Sequence, residues 1–155
     1  MRSGRKEAVF GVSGHHLARG FAAMAGLCMA LIPTAILAQP PGIDLELNRL
    51  EPTDKGCMMS FVIRNGLASP IEEASYEMVL FNREGLVERL TVFNFGALAA
   101  GKTVVRQFEL AGSGCEGIGR LLVNGAKSCK GEGLAADGCV DALSTSSKAG
   151  VALDK

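Results

Sequence analysis

Histidine is nearly missing from this chain: there are two, His15 and His16, adjacent and near the N-terminus. The rest of the chain therefore has no imidazole to act as general base, zinc ligand or triad member. An enzyme is not expected, and neither is a cofactor. A surplus of one charge is missing too. Lys plus Arg number 16 and Asp plus Glu 16, and Arg64, Arg83, Arg89, Arg106 and Arg120 lie scattered among acids without forming a basic run. That excludes the electrostatic footprint of a nucleic-acid binder, and the arginines read as solvated faces of strands. The cysteines lack the tight CxxC spacing of a four-thiolate zinc site. No amphipathic stretch of helical length occurs from Gly42 until the C-terminal region.

The N-terminal part is of a different character. Arg2, Arg5, Lys6 and Arg19 precede an uncharged apolar run from Gly20 to Ala38. A basic flank followed by an apolar run is the layout of an export signal, and the flank stays cytoplasmic, so everything after Ala38 is sent outward. The run is longer than the usual h-region of about 7 to 15 residues and close to the roughly 20 that span a bilayer. Two outcomes follow. Cleavage after Ala38 would give a periplasmic or secreted protein; retention would leave residues 20–38 as an anchor with the domain outside, the only membrane contact expected. Cleavage is the main expectation, because Pro33 should break the helix near its outer end and Ala38 is small. Cys28 reads as apolar filler, since Ala25-Gly26-Leu27 before it lacks the order of a lipidation site.

Residues 1–38 are thus expected to be signal peptide or anchor, 39–129 a β-sandwich domain, and 130–155 a disulfide-closed loop and C-terminal tail. Of five cysteines, Cys57, Cys115, Cys129 and Cys139 lie beyond the export segment. An even number in an oxidising compartment reads as two disulfides, with three connectivities open. The expected pairing is Cys57 with Cys115, joining distant strands, and Cys129 with Cys139, closing a Gly-rich loop.

From Gly42 the apolar period is near two, as in half-buried strands. Leu45 and Leu47 alternate with Asp44 and Glu46, and Cys57, Met59, Phe61 and Ile63 alternate with Met58, Ser60, Val62 and Arg64 before a turn at Asn65-Gly66. A run through Tyr76, Met78 and Leu80, a turn at Asn82-Arg83-Glu84-Gly85, and the β-branched and aromatic stretch Leu86 to Phe95 predict a hairpin. Thr103 to Leu110 and Ile118 to Val123 add two strands, the second ended by Asn124-Gly125. The fold class is therefore mostly β: an immunoglobulin-like antiparallel β-sandwich of about six to seven strands. From Lys130 the composition turns to Gly, Ala, Ser and Asp, so a loosely held tail with a short helix within Cys139 to Ser144 is expected.

Three segments resemble FxLYD-type bacterial sandwich domains: Ile63-Arg64-Asn65; Met78-Val79-Leu80-Phe81-Asn82 with Gly85; and Leu98-Ala99-Ala100-Gly101-Lys102-Thr103. In such domains a strand ends in Asn, a later one ends in an aromatic-Asp turn with Gly, and a Leu-x-x-Gly turn starts the next. Asn82 stands here in place of their usual Asp. The resemblance covers about half the chain and implies a fold, not an activity. The whole chain also resembles small, uncharacterised exported bacterial proteins named for their export signal.

Two motifs need weighing against that fold. Gly96-Ala97-Leu98-Ala99-Ala100-Gly101-Lys102-Thr103 spells the P-loop pattern, GxxxxGK followed by Ser or Thr. A phosphate cradle must lead into a helix N-terminus, yet Val104-Val105-Arg106-Gln107-Phe108 reads as a strand. Gly112-Ser113-Gly114-Cys115-Glu116-Gly117 spells GxGxxG, but the βαβ unit and the later acid of a dinucleotide site are missing. Both are expected to be turns. Glu72-Glu73 is the one candidate carboxylate pair for acid–base chemistry, but neighbours on a strand point to opposite faces. The expected function is a non-catalytic protein-interaction or assembly module acting on an unknown envelope protein. The alternative is a small apolar ligand binder using a sheet face or inter-sheet pocket near Met58, Met59, Tyr76 and Met78. Tyr76, Phe93 and Phe95 are expected in the core rather than in an aromatic binding patch.

Overall fold

A computed structural model describes residues 41–155; the expectations for His15, His16, Cys28 and cleavage after Ala38 concern residues outside that range. Alternation builds the first two strands. In β1 (Ile43–Thr53) and β2 (Gly56–Asn65), Ile43, Leu45 and Leu47, then Cys57, Met59, Phe61 and Ile63, are fully buried, and the residues between them face outward. The two pair antiparallel, Leu45 opposite Ile63, with one register shift after Leu47. β3 (Ile71–Asn82) and β4 (Val87–Leu98) form the expected hairpin. Its turn is set by Asn82, whose Oδ1 accepts from the backbone N–H of Glu84 at 3.1 Å and of Leu86 at 2.8 Å. Gly85 supplies the positive φ of 79° that the turn requires.

β5 (Thr103–Ala111) and β6 (Ile118–Lys130) follow, then the short α1 (Gly138–Asp141), β7 (Leu143–Ser147) and β8 (Ala152–Asp154). Among the described residues, eight strands make two four-stranded sheets, ordered β5-β2-β1-β7 and β4-β3-β6-β8. The first six strands divide as in an immunoglobulin-like sandwich, with β1, β2 and β5 in one layer and β3, β4 and β6 in the other. Between the layers Phe61, Phe93, Phe95, Phe108 and Tyr76 stack mostly edge to face, with Phe93 and Phe108 centroids 4.9 Å apart. Asn65 ends β2 fully buried. Its Nδ2 donates to the carbonyls of Ser69 and Leu98, both at 3.0 Å, and its Oδ1 accepts from Leu67 N–H at 3.0 Å.

The disulfides are Cys57–Cys115, with Cα atoms 4.9 Å apart, and Cys129–Cys139, at 5.7 Å. The first ties the start of β2 to a 3-10 turn (Cys115–Gly117) that leads into β6 in the opposite layer. Two such bridges are the chemistry of an oxidising environment. Among the described residues no helix is long and apolar enough to cross a membrane.

The structure corrects four expectations. The strand begun at Ile118 does not stop at Asn124-Gly125 but runs on to Lys130, because β3 beside it is long enough to pair throughout. Val123 faces Met78 and Gly125 faces Glu77, which leaves Asn124 as the extra residue of a bulge rather than the start of a turn. The tail after 129 is not loose and belongs to the sandwich. Cys139, Leu143 and Leu153 are buried, the Tyr76 hydroxyl donates to the Cys139 carbonyl at 3.2 Å, and β7 and β8 each extend one sheet. The short helix spans Gly138–Asp141 instead of reaching Ser144. The sheets are mixed, not purely antiparallel. The long crossover after β6 brings the chain back beside β1 in the same direction, and residues 148–151 then carry it across to lie parallel to β6.

Candidate interaction surface

β4 is an edge strand, and its alternation is apolar on both faces. Phe93 and Phe95 point into the core, while Leu90 and Val92 on the other face remain 55% and 46% exposed. The register carries this exposed face across the sheet: Leu90 lies opposite Val79 of β3, which lies opposite Leu122 of β6. One row further, Val87 stands opposite Phe81 and Phe81 opposite Arg120. Leu86 and Val87 are also exposed. Polar groups close the far side. The Arg120 guanidinium sits 3.8 Å above the Phe81 ring and pairs with Asp154 at 3.4 Å, and Asn124 donates to Glu77 at 2.6 Å. An apolar stripe bounded by charge thus runs in from the free edge across the outer face of the sheet.

Natural sheets guard their edges with lysine, proline, bulges or short strands. β8 is three residues long and β7 reads Leu-Ser-Thr-Ser-Ser. β5 shows Thr103, Gln107 and Glu109 on its outer face, with Val105 as the exposed apolar residue. β4 has neither Lys nor Pro along its 12 residues. Its irregularities lie near the two ends, which leaves Arg89–Asn94 in unbroken register with Ser75–Leu80.

Among the described residues four groups titrate away from their ordinary values. A hydrogen bond from Asn48, with Lys148 at 2.8 Å, holds the Glu46 carboxyl low. Lys130, hydrogen-bonded to Glu73, holds that carboxyl low and is itself raised by it. Burial pushes the Tyr76 phenol up. All four move away from neutrality.

The other residues singled out by the sequence find ordinary places. Gly96–Thr103 runs from the end of β4 through a turn closed by Lys102 N–H on the Ala99 carbonyl at 3.2 Å, and the next element is strand β5. Gly112–Gly117 contains the 3-10 turn and leads into β6, again without a phosphate-facing helix. Glu72 is exposed, and Glu73 is taken up by Lys130. The five arginines are dispersed: Arg64 pairs with Asp44 at 3.3 Å, Arg83 bonds the Glu116 carbonyl, Arg89 that of Ala111, Arg106 that of Phe95, and Arg120 pairs with Asp154. Met59, Tyr76 and Met78 are core side chains, and Met58 faces outward from β2. An open concavity of about 430 Å³ lies on the outer face of the β1 sheet, over Asp44, Glu46, Arg64, Ser144 and Ser146, with its acids already paired. Among the described residues no group of three or more His, Cys, Asp or Glu gathers to hold a metal.

Sequence reasoning placed a strand over Leu86–Phe95 but missed its exposed apolar face. The signal was there: Leu90 and Val92 are apolar at one parity and Phe93 and Phe95 at the other. Such a strand places apolar side chains on both faces of its sheet, and the face that does not pack on the core meets water. No family model, no curated protein and no solved structure matches this chain.

Proposed function

We propose that this chain is an exported, non-catalytic envelope protein, periplasmic or secreted, whose sandwich is a protein-interaction or assembly module that docks through the β4 edge and the outer face of the β3 sheet. The observation that carries this reading is the stripe of Leu90, Val92 and Val87 along an edge strand that has neither Lys nor Pro. Edge strands recruit partners by adding a strand, with backbone hydrogen bonds for affinity and alternate side chains for specificity. The export layout of residues 1–38 and the two disulfides support the compartment.

Crosslinking in intact envelopes, followed by recovery of the tagged chain, tests the reading. Wild-type protein should yield a crosslinked species, of this chain with itself or with another protein, and the Leu90→Lys, Val92→Lys double variant should reduce its yield at least tenfold. Recovery of the chain alone after crosslinking would count decisively against an interaction module.

A further inference from the structure

The chain contains two Asn-Gly steps, Asn65-Gly66 and Asn124-Gly125, and the fold treats them in opposite ways. In such a step the backbone nitrogen of the glycine can attack the side-chain carbonyl carbon of the asparagine before it, with no Cβ on the glycine to crowd the approach. Asn48, Asn82 and Asn94 are followed by Arg49, Arg83 and Phe95, whose side chains obstruct that attack. Asn65 is locked. It is fully buried, its amide makes three hydrogen bonds, and the nitrogen that would attack, Gly66 N–H, donates to the Gly42 carbonyl at 2.7 Å. Asn124 is exposed. Val123 lies opposite Met78 and Gly125 opposite Glu77, so as the extra residue of the bulge it has no β3 residue across from it. Its amide is held by a solvent-exposed bond to Glu77 at 2.6 Å, and a Cβ placed on Gly125 would meet nothing within 4 Å.

We infer that Asn124 is a site of spontaneous modification in the folded protein, converted with time to aspartate and isoaspartate while Asn65 survives. A bond forms between the Gly125 nitrogen and Asn124 Cγ, and the amide nitrogen leaves as ammonia, carrying away the proton that Gly125 gives up. One water then opens the cyclic imide. Opening at the backbone carbonyl gives isoaspartate, with the chain running through the former side chain; opening at the side-chain carbonyl gives aspartate. No oxidant or cofactor takes part. The product changes β6, the strand between β3 and β8. A group that donates to Glu77 becomes a second carboxylate beside it, and isoaspartate adds a methylene to the backbone within the ladder.

The test uses the full chain, expressed with export, isolated with both bridges intact and aged in neutral buffer. Peptide mapping by chromatography and mass spectrometry should show two acidic forms of the Asn124 peptide, isoaspartate the larger. They should accumulate at least about tenfold faster than any conversion at Asn65, which must wait for the surrounding fold to open. The same chain reduced and unfolded in guanidinium should convert both steps at similar rates, which shows that the fold and not the dipeptide separates them. Gly125→Ala has room for its methyl and should slow conversion at Asn124 at least about tenfold by crowding the attack. Asn124→Asp, the product made directly, should melt lower than wild type, and Glu77→Gln in that background should recover part of the loss. Asn124 intact in the folded chain over the time in which the unfolded chain converts it overturns the inference. Equal folded rates at Asn65 and Asn124, or no slowing by Gly125→Ala, do the same. An Asn124→Asp protein that melts with wild type overturns the stated effect on β6.

Discussion

Removing the Cys57–Cys115 bridge should cost more stability than removing Cys129–Cys139. The two close loops of very different length, with sequence separations of 58 and 10. Restricting the unfolded chain by such loops is worth about 4.2 and about 2.8 kcal/mol respectively. Packing losses largely cancel in the comparison, since each bridge joins one fully buried cysteine, Cys57 or Cys139, to one partly buried one. The tail has other holds besides its bridge: Leu143 and Leu153 are buried, and the Tyr76 hydroxyl bonds the Cys139 carbonyl. The long bridge, by contrast, crosses between the two layers. A difference of about 1.5 kcal/mol remains, and the full loss of about 4 is a large share of the roughly 5 to 15 kcal/mol of a typical domain. Thermal melts of exported Cys57→Ala, Cys115→Ala and Cys129→Ala, Cys139→Ala proteins should differ by about 5 °C or somewhat more, the former melting lower. If the variant lacking the long bridge melts at the same temperature or higher, loop closure does not govern the ranking.

Three further outcomes follow from polar side chains. Asn65→Ala removes three hydrogen bonds at a fully buried site and should cost about 2 to 4 kcal/mol in a urea titration; a loss below 1 would mean that water replaces the amide. Asn82 uses only its Oδ1, so Asn82→Asp should change stability by less than about 0.5 kcal/mol while Asn82→Ala costs about 1, and equal losses would contradict this account of the turn. Burial raises the Tyr76 phenol, so its stabilising contribution is complete below the ordinary value near 10 and is lost as pH rises above it. Tyr76 is the one tyrosine in the chain, so alkaline absorbance reads it directly: folded protein ionising at the ordinary value would refute the burial argument, and Tyr76→Phe should flatten the alkaline fall in melting temperature.

The strands of the two layers were legible wherever local chemistry and the global fold agree. Cys57, Met59, Phe61 and Ile63 alternate with outward residues, and a strand with that pattern has one face to bury and one to leave in water. The Asn82–Gly85 turn carries its own geometry in an acceptor side chain and a glycine. The GxxxxGK segment could be read as a turn because the residues after it favour strand over helix, and the cysteine pairing was the favoured one of three, with one bridge between distant strands and one across the Gly-rich loop.

What the sequence could not hold were features decided by a neighbour. Asn124-Gly125 signals a turn, yet β3 alongside offers a continuous ladder, and a bulge loses less than ending the strand would. β7 and β8 are too short and polar to show a period. Their placement depends on β1 and β6 offering free edges and on single anchors, Leu143 and Leu153, that become buried only when both sheets exist. The exposure of Leu90 and Val92 belongs to the same class. An apolar residue in a strand records a preference to leave water, but whether anything lies over it depends on which strand ends the sheet, and that is settled only when the layers assemble.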